Sequence, residues 1–236
     1  VFSSKDIRGM GMKVFEEVPI ISHVEVSATQ SFLKRSCSHC MKSVITRQVA
    51  DWIATVSGLT LPKPVSDEVE RLAVVGTNGF VECEKCGELY CSVKCKEEAL
   101  MTYHRLLCSR IGPFVQLCKS LGLTNPLCVA RMASFVANRI IGTVGGGDVY
   151  QAMEPFTAFE WNHWPMERDV ELASMLRDIL EQSIGKDIAS SVASIDSFRM
   201  FNGVIQRNAS RVHPLSDLQL FLCNGGSIEK KVAEEI

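Results

Sequence analysis

The sequence predicts an α+β protein: a small β portion at the start, a lobe held by metal ligands, and a helical region behind it. Three observations carry that prediction. Residues 1–27 alternate apolar or β-branched side chains with polar ones around a Gly9-Met10-Gly11 turn, the pattern of two short strands. Residues 83–108, CEKCGELYCSVKCKEEALMTYHRLLC, hold five of the chain's ten cysteines together with a histidine. Beyond residue 109 the apolar residues recur at the spacing of amphipathic helices.

Composition sets the frame. A chain of 236 residues, 46% hydrophobic and 22% charged, can bury one large core or two smaller ones. A net charge of −2 supplies no global basic field, so neither direct nucleic-acid binding nor attraction to an anionic membrane surface is expected. The most apolar window, NPLCVARMASFVANRIIGTV, is broken by Arg131, Asn138 and Arg139, which argues against a membrane span. The first residues carry Asp6, Glu16 and Glu17 and lack the uninterrupted apolar stretch of a secretory signal. A reducing compartment, cytoplasmic or nuclear, is therefore expected, in which cysteines stay as thiols. The chain starts with Val, which suggests a beginning further upstream.

The cysteine positions give the lobe its chemistry. Cys37 and Cys40 form one C-x2-C pair, and Cys83 and Cys86 another, followed by Cys91, Cys95, His104 and Cys108. Residues two apart in a tight knuckle can place two thiolates on one metal. His104 and Cys108 lie four apart in KEEALMTYHRLLC, a run without Pro or Gly, so a helix would put both on one side. Eight soft ligands make two closed tetrahedral zinc sites with none left over. Any single cysteine of this set would more ordinarily be a buried core thiol. A redox C-x-x-C is a further alternative, but such motifs occur once, beside a βαβ pattern, rather than in a ladder.

These residues resemble a MYND zinc finger: CSHC at 37–40, then CEKCGELYCSVKCKEEALMTYHRLLC with its Tyr90-Cys91-Ser92 and closing Tyr103-His104 and Cys108. In that family the ligand pairs alternate between metals. The resemblance thus implies one site of Cys37, Cys40, Cys91 and Cys95 and a second of Cys83, Cys86, His104 and Cys108, with His39 a bystander. A long insertion, residues 41–82, separates the second ligand from the third where most such fingers use a short loop. It carries ITRQVADWIATV, with apolar positions 45, 49, 52, 53 and 56 at helical spacing, before Leu61-Pro62-Lys63-Pro64. Loop closure becomes costlier only slowly with length, so metal binding can outweigh it.

The flanks extend the resemblance to the SET–MYND (SMYD) family of protein-lysine methyltransferases. VFSSKDIRGMGMKVFEEVPI, with Val14-Phe15-Glu16 and Pro19-Ile20, runs in the order of the opening of a split SET domain placed just before the finger. Downstream, NPLCVARMASFVANRIIG reads as a helix, and WPMERDVELASMLRDILEQSIGK as another, with Pro165 early, Glu167 and Asp169 in its first turn and Gly185 at its end. SFRMFNGVIQRNASRVHPLSDLQLFL at 197–222 resembles the end of the family's helical insert. The long finger insertion points to the divergent fifth branch. The resemblance therefore implies residues 1–36 as the N-terminal part of a split SET domain, 37–108 as the finger with its insertion, and 109–236 as a helical insert-like region.

By the same resemblance the cofactors are two zinc ions and S-adenosylmethionine, and the partner is a protein substrate, histone or other, that presents a lysine. A target lysine must arrive deprotonated and in line with the methyl sulfur, so desolvation and alignment supply much of the rate in such enzymes. The family's cofactor Asn falls on Asn208; it can equally be a helix-end Asn, and Asn208-Ala209-Ser210 also matches a glycosylation sequon. The family's Asn-His-Ser-Cys segment and its later tyrosine-bearing strand have no counterpart here, since the chain closes on GGSIEKKVAEEI. The expectation is an incomplete catalytic core and little activity for this chain alone. The alternative reading is a zinc-dependent interaction module that binds proline-rich peptides without any methyl donor.

Other features read more plainly. Gly145-Gly146-Gly147 lacks the lysine and spacing of a phosphate loop and reads as a connection. Cys118, Cys128 and Cys223 sit among apolar residues and read as ordinary thiols, and His163 between Trp161 and Trp164 as packing. No Ser/His/Asp set or paired carboxylate suggests a hydrolase.

Overall fold

The structure, a computed structural model, describes residues 21, 35–41, 43–44, 81–123, 125–143, 147–159, 161 and 167–208. The strands expected before residue 35, the insertion helix at 45–56, His163, Trp164, Cys223 and the segment after Asn208 lie outside the described residues.

Two small antiparallel hairpins come first. Strands β1 (Arg35–Ser36) and β2 (Ser43–Val44) pair Arg35 with Val44 and Ser36 with Ser43, and β3 (Val81–Glu82) and β4 (Leu89–Tyr90) pair Val81 with Tyr90 and Glu82 with Leu89. Each hairpin is turned by a C-x-x-C knuckle. The Met41 N–H donates to the Cys37 carbonyl at 3.1 Å, and the Gly87 N–H to the Cys83 carbonyl at 2.8 Å. Closing so tight a turn takes a left-handed residue after the second cysteine; Met41 has φ 64° and Gly87 φ 75°.

A helical run follows, as the sequence pattern predicts, but its register changes midway. Helix α1 (Val93–Ala99) begins at Ser92, whose side chain accepts from the Cys95 N–H at 3.1 Å. Leu100–His104 is a π-helical turn, and α2 (Arg105–Leu107) completes the run. In an unbroken α-helix Cys95 and His104, nine residues apart, would point about 180° from one another. The wider π turn advances less per residue and brings them closer to a common side.

The helical region contains α3 (Gly112–Ser120), α4 (Asn125–Gly142), α5 (Val149–Thr157), α6 (Asp169–Ile184), α7 (Lys186–Val192) and α8 (Ile195–Asn208). Their ends follow local chemistry. Pro113 sits in the first turn of α3, and Asp148 caps α5 by accepting from the Tyr150 N–H at 3.2 Å. Gly185, at φ 81°, separates α6 from α7. One boundary differs from the sequence reading: α6 starts at Asp169, so Glu167 lies in the preceding turn while Asp169 and Glu171 occupy the first helical turn.

Helix α4 is the axis of this region, packing against α3, α5, α6, α7, α8 and the π turn. Its apolar residues Val129, Ala133, Val136 and Ala137 are fully buried beside Phe114, Leu172, Leu176, Leu180, Phe198 and Phe201. Phe156 sets its ring edge-on to Phe135 and Phe201, centroids 5.7 Å apart in both pairs. Each such side chain contributes about 1.5–3 kcal/mol by leaving water, so this region has ample apolar drive. Cys118 is buried in it and Cys128 partly buried, as ordinary thiols. The finger differs. Among the described residues its buried cluster is Cys37, Cys83, Tyr90, Cys95, Ala99 and Tyr103, with Ile21 packed against both this cluster and the helical core. The architecture is mostly helical with two two-stranded sheets, α+β in general form, and among the described residues all strands belong to the finger hairpins. No described helix is long and apolar enough to cross a membrane.

Candidate metal centre

The eight sequence-predicted ligands come together in two groups of four. Cys37 and Cys40 from the first knuckle meet Cys91, after β4, and Cys95 of α1; Cys83 and Cys86 from the second knuckle meet His104 of the π turn and Cys108. Within each group the ligand atoms all lie within 4.8 Å of one another. His39 stays out of both: its Nε2 lies 3.3 Å from Glu98 Oε2, and its ring stacks on Tyr103 with centroids 6.1 Å apart. Asn208 is remote from both groups in sequence, exposed at the end of α8, where its side-chain amide donates to the Val204 carbonyl at 2.8 Å.

The spacings suit a tetrahedral ion. Metal–sulfur bonds of about 2.3 Å at tetrahedral angles separate sulfurs by about 3.8 Å, and a nitrogen at about 2.0–2.1 Å sits about 3.5 Å from each sulfur. Cys40 and Cys91, Cys91 and Cys95, and Cys83 and Cys108 each have their sulfurs 3.5 Å apart. His104 Nε2 lies 3.2 Å from Cys83 Sγ and 3.5 Å from Cys86 Sγ. One set of four cysteines and one of three cysteines with a histidine, at these distances, fit zinc, and neither leaves a fifth position open.

Protonation points the same way. Burial opposes ionisation of the Cys83 thiol, yet the hydrogen bond to His104 and the backbone amides of Lys85 and Cys86 outweigh it and bring it down to about 6. Burial likewise opposes ionisation of Cys37, and amides of Cys40, Cys91 and His39 more than offset it. The neighbours go the other way. Burial, with adjacent thiolate and carboxylate charge, pushes Cys86 up to about 12 and raises Cys91 and Cys108. Cys37 and Cys83 thus ionise more readily than a free thiol, while Cys86, Cys91 and Cys108 resist ionisation as negative charge accumulates in a small volume. A divalent cation removes that resistance.

Sequence reasoning passed over the residues behind the second site. Glu88 places Oε2 3.3 Å from His104 Nδ1, accepts from the Tyr90 hydroxyl at 2.9 Å, and sets Oε1 3.5 Å from Arg131 Nη2. Burial would raise its carboxyl, but His104 and the Arg131 guanidinium hold it down at about 2. Arg131 comes from α4, 43 residues further on, and its side chain is only 8% exposed. Its Nη1 donates to the Ser38 carbonyl in the first knuckle at 2.8 Å and lies 3.3 Å from the Tyr103 hydroxyl, while the guanidinium covers the Tyr103 ring at 4.5 Å. One helical residue therefore touches both knuckles. Two turns on, Asn138 donates to the Thr102 carbonyl at 2.8 Å and accepts from Arg105 at 3.0 Å, which binds the π turn to α4. The available signal was a pair of polar residues seven apart, Arg131 and Asn138, in a mostly apolar helix.

Comparison with known proteins agrees with this geometry. The MYND finger family model matches residues 73–108, a span that contains six of the eight ligands; the fold itself supplies Cys37 and Cys40. The chain is 30% identical over 114 residues to the protein-lysine N-trimethyltransferase SMYD5 of Gallus gallus, covering 48% of this chain and 25% of that protein. It is 27% identical over 114 residues to the SMYD5 of Danio rerio, with the same coverage of 48% and 25%, and 27% identical over 109 residues to that of Homo sapiens, covering 46% and 24%. The match thus spans about a quarter of the length of these curated relatives. No solved structure matches. The chain thus carries a MYND finger and is similar over about half its own length to SMYD5 proteins.

Proposed function

We propose that this chain is the zinc-finger-bearing part of a SMYD-type protein-lysine methyltransferase that takes its methyl group from S-adenosylmethionine. The observation that carries this reading is the likeness to protein-lysine N-trimethyltransferases over about half the chain, joined to a MYND finger. On this reading residues 1–36 open a split SET domain, 37–108 form the finger on two zinc ions, and 109–236 form the helical insert-like region, with Asn208 placed toward the donor. The substrate is a protein lysine, on a histone or another protein, in the cytoplasm or nucleus. The finger is the scaffold: among its described residues the apolar cluster is small, and on this reading two metal ions supply much of its folding energy.

The test is transfer of labelled methyl from S-adenosylmethionine to histones and lysine-bearing peptides by the protein translated from the native transcript. Label on lysine that is lost in a Cys86→Ser variant supports the reading. Absence of label together with absence of donor binding rejects it.

A second reading has its own support. Val93 and Met101, on the finger's helical run, are 57% and 71% exposed, an apolar offering to a partner. As a zinc-dependent interaction module the chain would bind a proline-rich peptide with or without the methyl donor.

A further inference from the structure

We propose that Glu88 is the positioning residue of the Cys83–Cys86–His104–Cys108 site, and that Arg131 of the helical region fixes Glu88 there, making retention of that metal dependent on α4. The inference rests on the zinc reading above and goes beyond it by assigning residues outside the ligand set.

His104 points Nε2 at Cys83 and Cys86, so Nε2 must be the unprotonated nitrogen if it is to ligate, and the proton belongs on Nδ1. Nδ1 faces Glu88 Oε2 at 3.3 Å, so the carboxylate is placed to accept a hydrogen bond from Nδ1–H and thereby to set both tautomer and ring angle. Ring packing alone does not fix the ring, since the only aromatic beside it among the described residues is Tyr90, edge-on with centroids 5.8 Å apart.

Glu88 in turn needs holding. Its side chain is 32% exposed and has several rotatable bonds, so water competes for its oxygens. The Tyr90 hydroxyl occupies Oε2, the oxygen already given to His104, and leaves Oε1 to Arg131. Arg131 is itself immobilised: one nitrogen is tied to the Ser38 carbonyl at 2.8 Å, and the guanidinium plane lies over Tyr103. The planar fork serves Ser38 and Glu88 with two different nitrogens, a geometry that lysine's point-charge ammonium does not reproduce. The first site has no such dependence through its ligands, since none of its four cysteines carries a second ring nitrogen to be oriented.

The test is zinc transfer from the intact chain to a chromogenic chelator, with bound zinc counted first. The expected wild-type result is two kinetic phases of one ion each. Glu88→Gln should speed one phase about tenfold, the usual scale for losing a carboxylate behind a metal-bound histidine, and leave the other unchanged. Arg131→Met should speed that same phase, and the double variant should release this ion no faster than Glu88→Gln alone. Multiplying effects, or equal acceleration of both phases by Glu88→Gln, would overturn the proposal. A readout that needs no variant is the imidazole Nδ1–H of His104 in the zinc-loaded protein, which should give a protected, downfield proton resonance; its absence overturns the proposal even where the variants fail to fold. Zinc-free wild-type protein would instead reject the underlying metal reading.

Discussion

Met41 and Gly87 hold the same place in two different hairpins: each follows a C-x-x-C pair, each donates its N–H to the carbonyl of the first cysteine, and each has a positive φ, 64° and 75°. The knuckle demands the conformation whichever residue stands there. Only Gly87 meets it without strain.

Replacing Gly87 with Ala should therefore cost about 1–2 kcal/mol in the zinc-loaded protein. A Cβ there meets only Glu82 Oε1 at 3.5 Å, ordinary contact, so the loss would come from the backbone and not from a clash. Met41→Gly should show no comparable loss, because relief of left-handed strain offsets the added freedom of the unfolded glycine. Thermal unfolding of the two variants beside wild type checks the asymmetry. An equal loss in both would contradict it.

The link between finger and helices should be as sensitive as the knuckles. Asn138→Ala removes the donor to the Thr102 carbonyl and the acceptor of Arg105, two polar ties between this helical run and α4. The expected cost is about 1–3 kcal/mol. Hydrogen exchange should speed through residues 100–108 while the amides of α6 stay protected; uniform exchange across the chain would refute the local role.

Asn202 offers the opposite sign. It is fully buried in α8 among Phe198, Phe201 and Val204, and neither atom of its amide meets a hydrogen-bond partner among the described residues. Asn202→Leu, close in volume, should raise stability by about 1–3 kcal/mol by removing that uncompensated desolvation. Denaturant unfolding measures it, and a loss would mean that the amide has a partner of its own.

How much of this was legible in the sequence depends on the range of each interaction. The ligand groups were legible because C-x-x-C and the His104–Cys108 spacing are local, and α4 matches its expected bounds because Asn125-Pro126 and Gly142 punctuate it. Arg131 and Asn138 read only as interruptions of an apolar window, since their partners lie 28 to 93 residues away and no spacing announces them. Glu88 drew no notice in the sequence, because its partner Arg131 lies 43 residues away. The π turn has no composition of its own, so KEEALMTYHRLLC read as plain α-helix. The left-handed conformations at Met41 and Gly87 appear only once the hairpins are folded.

Chelation should separate the two parts of the chain. Among the described residues the finger buries few side chains besides its ligands, while the helical region has its own core around α4. Excess chelator should abolish protection at residues 81–108 and leave most helical circular dichroism in place. Complete unfolding would mean that the finger contributes more to the helical core than its contacts indicate.

The most direct test is the metal content of the purified chain by native mass spectrometry, for wild type and Cys86→Ser. The account predicts two zinc ions in the wild type and one in the variant, lost from the Cys83–Cys86–His104–Cys108 site while the Cys37–Cys40–Cys91–Cys95 site keeps its own. Wild-type protein with fewer than two ions, or a Cys86→Ser variant that still holds both, would contradict it.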